Sequence, residues 1–280
     1  MAASAHHPEP APRMARFLVP ALMVVCFGMR FFASTTVPMT YDEAMIVTAS
    51  ARISLQPGAV NLPMDGYGHP AGELYLARLG TVLLGHNLAG FRFVSVVLGA
   101  ATCWIMFALV RRVWGFWPAA LTLFLLCFNG FHIGVSRFAV EYTYLFFVAL
   151  AIYLFWRAVH EERPGLLVAA GATVGVGAFT SEHTFLLLPV FAAYLLLDRE
   201  KRTWYRRWQT YAGVALAILI YSPDVYWTLT HPGDLALADG ASEFDVGDQI
   251  SRLRPGRLSA APLALYIPPL YYKLSERLSE

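Results

Sequence analysis

Apolar runs broken by short basic clusters dominate the chain. Phe17 to Ala33 is apolar apart from Arg30. Phe91 to Val110 follows, closed by Arg111 and Arg112, and then come Trp117 to Phe131, Phe138 to Trp156, Leu166 to Thr180, Phe185 to Leu197 and Tyr211 to Leu229. A helix needs about 20 residues to cross ~30 Å of hydrocarbon. The runs therefore predict transmembrane helices, with 166–180 and 185–197 on the short side. The first is read as a span rather than a signal peptide, because Arg30 interrupts it before any small-residue cleavage site.

Loop charge decides how the two short runs cross. With seven crossings, Arg13 and Arg16, Arg111-Arg112, Arg157 and Arg163, and the cluster from Arg199 to Arg207 all fall on one side. The positive-inside rule makes that side cytoplasmic. A single helix from 166 to 197, with Glu182 at its centre, would split these clusters between two faces. A hairpin of two short helices keeps them together.

The opposite face then receives the segment 35–89, two tight turns near His132 and Glu182, and the chain after Leu229. Segment 35–89 is too long for an idle connector. In it, Thr40 is placed to cap a helix over Ala44 to Leu55, and Met45, Ile46, Ala49 and Ile53 recur at helical spacing, as in an interfacial amphipathic helix. A second helix-like run, Ala71 to Leu84, follows Gly66-Tyr67-Gly68-His69-Pro70. The expected organisation is a disordered cytoplasmic N-terminus over 1–16, a membrane module over 17–229 with its outer loop at 35–89, and an outer-face tail over 230–280. In the tail, Ala260 to Tyr272 looks like the start of a further membrane-contacting element. No internal repeat is visible.

Composition agrees with a membrane protein. Of 280 residues, 57% are hydrophobic and 14% charged, against about 25% charged in soluble domains; mean hydropathy is +0.51. These values exclude a soluble domain, a disordered chain, collagen and a disulfide scaffold. Net charge is +2 and no basic face is apparent, so no nucleic-acid partner is expected. Cys26, Cys103 and Cys127 each lie inside an apolar run without zinc-ligand spacing, and read as small packing residues. The fold expected is an all-α polytopic membrane protein.

The polar residues assigned to the outer face admit two readings each. Asp42 and Glu43 complement the dipole of a helix N-terminus, or hold a general-base carboxylate at the membrane surface. Arg137 and Glu141, four apart at the mouth of the fourth span, form an interfacial ion pair, or aim a guanidinium at a phosphate. Glu182 and His183 form a polar turn, or line a site. His69, before Pro70, opens a helix, or lines a site with Asp42. Glu73 and Arg78 read as a solvated face. Arg30 and Arg92, at the outer ends of the first two spans, complete a ring.

Four segments in order resemble the GT-C glycosyltransferases of the dolichyl-phosphate-mannose–protein mannosyltransferase type, which include the aminoarabinose transferases and the RgtA/B/C/D-like family. They are Tyr41-Asp42-Glu43-Ala44 after the first span, Gly68-His69-Pro70 before an apolar helix, Phe91-Arg92-Phe93-Val94-Ser95 through the basic turn at Arg111-Arg112, and Phe131-His132-Ile133 through Ser136-Arg137-Phe138-Ala139 and Tyr142. The hairpin from Gly177 to Pro189 is similar in outline. The chain departs from the family at Ala71, where a second proline is common, and at Glu182-His183-Thr184, where Lys-Tyr-Thr is common. Members also run to about twice this length.

The resemblance implies a GT-C-like bundle of about seven spans with an amphipathic first outer loop. It implies transfer of a sugar from a polyprenyl-phosphate donor to an acceptor hydroxyl at the periplasmic face of the inner membrane. Asp42 would act as general base, with Glu43 beside it. Arg137 would hold the leaving phosphate, with Arg92 and His183 as further contacts, and His69, Glu141, Glu182 and Tyr142 would line the substrate. The partners implied are a lipid-linked sugar, membrane lipids and an acceptor protein, glycan or lipid. No cofactor is implied with certainty, and a divalent metal on the carboxylates stays open. Two alternatives remain from sequence: a non-catalytic partial module serving as a binding or assembly subunit, and a small transporter, although transporters gather polar groups at the midplane.

Overall fold

The computed structural model describes residues 15–51, 53, 71–138 and 141–230. All regular elements among them are helical. α1 (Ala15–Thr36) and α4 (Leu88–Trp114) are long and apolar enough to cross a membrane. α5 (Phe116–Phe128) and α6 (Gly130–Ser136) would form a third span if taken as one, but a 64° bend separates them. α7 (Tyr144–His160), α8 (Gly165–Ala178) and α9 (Leu187–Leu197) are apolar and shorter, and α10 (Trp208–Thr230) closes the bundle. α2 (Tyr41–Ser50) and α3 (Gly72–Leu84) lie between α1 and α4.

Two boundaries differ from the sequence reading. The expected run Trp117 to Phe131 breaks at Asn129, whose extended backbone ends α5 and whose side chain accepts the His132 N–H at 2.8 Å to start α6. The fourth span begins at Tyr144, not near Ser136. Arg137 instead terminates α6, and Glu141–Thr143 forms a separate 3-10 turn, so Arg137 and Glu141 are not four apart on one helix. The two short runs do form separate helices. The first ends at Ala178, and extended Ser181 (φ −161°, ψ 124°) opens a 3-10 turn, Glu182–Leu186, that leads into α9.

Close approaches of small residues set the packing. A Cβ on Gly171 of α8 would meet the Gly213 carbonyl oxygen of α10 at 2.1 Å, so this pair of helices touches backbone to backbone, as small residues permit in membranes. Gly99 of α4 similarly admits Ser136, the last residue of α6, with Cβ to Cβ at 2.2 Å. That contact fixes the end of α6 against α4 and so places Arg137. Large apolar side chains face outward along the bundle, among them Val24 (73% exposed), Leu121 (59%) and Leu219 (66%). An outward apolar belt suits lipid rather than water.

α4 spans roughly 40 Å, so its two ends define opposite ends of the bundle. At the Arg112 end, Glu161 receives Arg112 (2.5 Å), Arg157 (3.0 Å) and Arg163 (3.5 Å), and Glu162 pairs with Arg207 (2.9 Å). Arg112, Arg157, Arg163 and Arg207, from three of the basic clusters grouped by loop charge, therefore share one end. The candidate site lies at the other, around Arg92.

Candidate functional site

The site is built on the start of α2. Thr40 accepts the Glu43 N–H on its hydroxyl at 3.3 Å, and Glu43 reaches back to the Thr40 N–H at 3.4 Å. This reciprocal capping box fixes the first turn, which carries Tyr41 and Asp42.

Glu43 is fully buried and paired with Arg92 of α4, itself fully buried. Arg92 Nε donates to one carboxylate oxygen at 2.5 Å and Nη2 to the other at 2.6 Å. Its remaining N–H groups go to the carbonyls of Ser34 (2.6 Å), Val37 (2.8 Å) and Pro38 (3.2 Å). One guanidinium thus ties together the end of α1, the 37–38 turn and the start of α2. Such a pair repays its desolvation only when its lone pairs and protons are this fully satisfied. Glu43 and Arg92 were expected beside the reacting groups, as catalytic carboxylate and phosphate contact. They hold each other instead, with no donor of Arg92 left for a ligand.

Arg137 stands next to this pair. Phe138 lies beside both arginines, its ring 4.7 Å from the Arg137 guanidinium carbon and 5.6 Å from that of Arg92. Arg137 has no hydrogen-bond partner among the described residues, and its Nε is buried. Burial and the neighbouring Arg92 charge push its pKa down, and Glu43 opposes them. Among the described side chains here, two guanidiniums and one carboxylate leave one positive charge in excess. That balance, with a planar fork unspent, favours an anion.

The turn at 141–143 and the hairpin tip continue the ring. Tyr142 is exposed and Thr143 buried. With Ser95, Thr102, His132 and Ser136 they line a cavity of about 10 Å³, room for one water. Tyr144 stacks on His183 (ring centroids 6.3 Å apart), and His183 Nδ1 lies 3.0 Å from the Ser181 hydroxyl. Glu182 and His183 are both exposed. The C-terminal end of α8 then meets the start of α3, where the Gly72 N–H donates to the Phe179 carbonyl at 2.8 Å. His69 and the side chains of Asp42 and Glu141 lie outside the described residues.

Arg30 departs from the expected ring. It is fully buried between α1, α4 and α5 and donates to the Cys26 carbonyl (3.0 Å) and Sγ (2.9 Å), to Cys103 Sγ (3.4 Å) and to the Leu126 carbonyl (3.0 Å), and lies 2.7 Å from His132 Nδ1. The three cysteines do sit in the apolar cluster that joins these helices, but two of them also serve a buried cation. Glu73, read as part of a solvated face, is 3% exposed. Arg78 does approach solvent and lies 3.2 Å from His86 Nε2. Among the described residues no group of three or more His, Cys, Asp or Glu could hold a metal ion.

Sequence reasoning missed Phe138, whose ring lies near both arginines, and Asp224, buried within α10. Asp224 had a readable signal, since it is an ionisable residue inside an apolar run.

The sequence model of the dolichyl-phosphate-mannose-protein mannosyltransferase family matches residues 68–227, more than half of the chain. The chain belongs to this family. The matched region includes Arg92, Arg137 and the hairpin tip, and begins after Asp42. In fold this family member is similar to two crystal structures of ArnT from Cupriavidus metallidurans. The apo structure gives a TM-score of 0.64 at 19% identity, over 80% of this chain and 43% of that one. The structure bound to undecaprenyl phosphate gives 0.65 at 20% identity, over 81% and 44%. The chain therefore spans less than half the length of the ArnT chains it matches. No curated protein matches significantly.

Proposed function

We propose that this chain is the membrane module of a glycosyltransferase that moves a sugar from a polyprenyl-phosphate donor to an acceptor hydroxyl at the periplasmic face of the inner membrane. The observation that carries the reading is Arg137: a half-buried guanidinium with unspent donors, beside the buried pair that anchors the helix bearing Asp42. Family membership and the fold shared with an undecaprenyl-phosphate-bound ArnT support a lipid-linked donor.

In this reading Asp42 takes the acceptor hydroxyl proton as its oxygen bonds to the anomeric carbon. The bond from that carbon to the phosphate oxygen breaks, and the lipid phosphate leaves with the electron pair. Its charge grows by one as it leaves. Arg137 therefore binds it more strongly in the transition state than in the ground state, which is what lowers the barrier. Arg92 and Glu43 hold Asp42 in place. His183, Glu182, Tyr142, His69 and Glu141 line the substrates, and the acceptor is a protein, glycan or lipid.

The test is transfer from a radiolabelled lipid-linked sugar by the full chain in membranes. Asp42→Asn and Arg137→Ala should each abolish label transfer that wild type performs. Undiminished transfer in both variants would defeat the assignment.

A further inference from the structure

Arg30 settles the tautomer of His132. A guanidinium only donates, so the 2.7 Å contact from Arg30 Nη2 is accepted by His132 Nδ1. An imidazolium would set a second N–H against the arginine there. The ring is therefore neutral and carries its proton on Nε2. Arg30 itself is held by the Cys26 and Leu126 carbonyls at 3.0 Å each, so backbone fixes the donor. His132 also borders the cavity between α4, α6, the 141–143 turn and α7.

Thr102, Ser136 and Thr143 border the same cavity. Thr102 donates its O–H to the Leu98 carbonyl at 2.8 Å, and Ser136 donates to the His132 carbonyl at 2.6 Å. Each of these oxygens keeps only lone pairs for a further partner. Thr143 is 7% exposed. It occupies the N-cap position of α7, where a threonine usually accepts a backbone N–H, yet it makes no side-chain cap bond. Its buried Oγ1 has no hydrogen-bond partner among the described residues, and a buried hydroxyl left without one is costly.

The hydrogen-bonding balance of these groups selects a ligand. It must accept from the His132 Nε2–H and donate to the lone pairs of Thr102, Ser136 or Thr143. A phosphate or carboxylate oxygen cannot donate, and an ammonium cannot accept. A neutral hydroxyl oxygen does both. The cavity, about 10 Å³, admits one such atom. Ser136 precedes Arg137 in the chain, and Tyr142, assigned to the substrates, borders the cavity too.

We propose that this cavity is a subsite for one hydroxyl oxygen, held between the His132 Nε2–H and the Thr143 hydroxyl and supplied by water or by the sugar of a donor seated on Arg137. Arg30 is its positioning residue, acting through the His132 tautomer. The subsite stands without the transferase reading, and only the sugar as a source rests on it.

Solid-state NMR of the purified full chain in lipid bilayers, with isotope-labelled histidine, tests the subsite without any donor. The His132 signals are those lost in His132→Gln. The expected spectrum shows a bare Nδ1, a protonated Nε2 and a cross-peak from the Nε2 proton to water. Thr143→Val, similar in shape, should remove that cross-peak, and Thr143→Ser should keep it. Arg30→Met should let the Nδ1-protonated form appear. Adding polyprenyl phosphate should leave the water cross-peak in place. Adding a polyprenyl-phosphate hexose labelled in its sugar separates the two sources. A cross-peak to the sugar in place of water supports the sugar hydroxyl, and a water cross-peak that persists supports water. A protonated Nδ1 in wild type, or a water cross-peak as strong in Thr143→Val as in wild type, would overturn the subsite, as would a Nε2 proton that meets neither water nor sugar. Wild-type protein that shows the water cross-peak but transfers no sugar counts against the transferase reading alone.

Discussion

Arg92 and Glu43, 49 positions apart in the chain, meet as a fully buried, two-point ion pair at the junction of α1, α2 and α4. Because Arg92 also holds three carbonyls around it, the pair acts as the knot that fixes the first turn of α2. Every N–H of Arg92 is spent in that knot.

Breaking that knot from one side should therefore be severe. Glu43→Gln or Arg92→Ala leaves a charge buried without its partner, a loss of about 3–5 kcal/mol. Replacing both by apolar residues should lose less than the sum of the two single changes. Thermal unfolding in detergent of the two single variants and the double variant measures this coupling.

Backbone contacts between helices predict where a single methyl group cannot be added. Gly72→Ala and Gly171→Ala place a Cβ within 2.2 Å and 2.1 Å of a carbonyl oxygen, so each should destabilise by about 1–3 kcal/mol. Gly134→Ala, with nothing within 4 Å of the added atom, should be neutral. Melting temperatures of the three variants separate the cases.

The opposite end of the bundle is sensitive to acid. Partial burial pulls the Glu161 pKa up, but the Arg157 hydrogen bond and the charges of Arg112, Arg157 and Arg163 outweigh it and hold the pKa below its usual 4.5. A carboxyl whose folded pKa is depressed stabilises the fold above its unfolded pKa. That contribution is lost as the pH falls through the lower folded value. Melting temperature should therefore drop below about pH 4.5 in wild type more steeply than in Glu161→Gln.

The helices were legible because apolar runs of this length have few other uses, and Arg112, Arg157, Arg163 and Arg207 do share one end of the bundle. The break at Asn129 was legible only in retrospect. A capping asparagine inside an apolar run is a weak signal until a neighbour such as Gly99 lets the second helix bend inward. The candidate site was half legible. Sequence spacing brought Arg92, Arg137 and Glu43 to one end, but charge type cannot tell a ligand contact from a structural pair. That distinction depends on which donors are already spent. Arg30 shows the same limit, since its partners are two thiols, two carbonyls and a histidine drawn from its own helix and three others. No rule of spacing anticipates that set.

In the proposed transfer Asp42 and Arg137 divide the labour, and donor binding measured alongside turnover tests that division most directly. Purified Asp42→Asn should retain a labelled polyprenyl-phosphate sugar with near wild-type affinity yet transfer none of it. Arg137→Ala should lose that affinity. Equal donor affinity in wild type and Arg137→Ala, with transfer intact, would contradict the account.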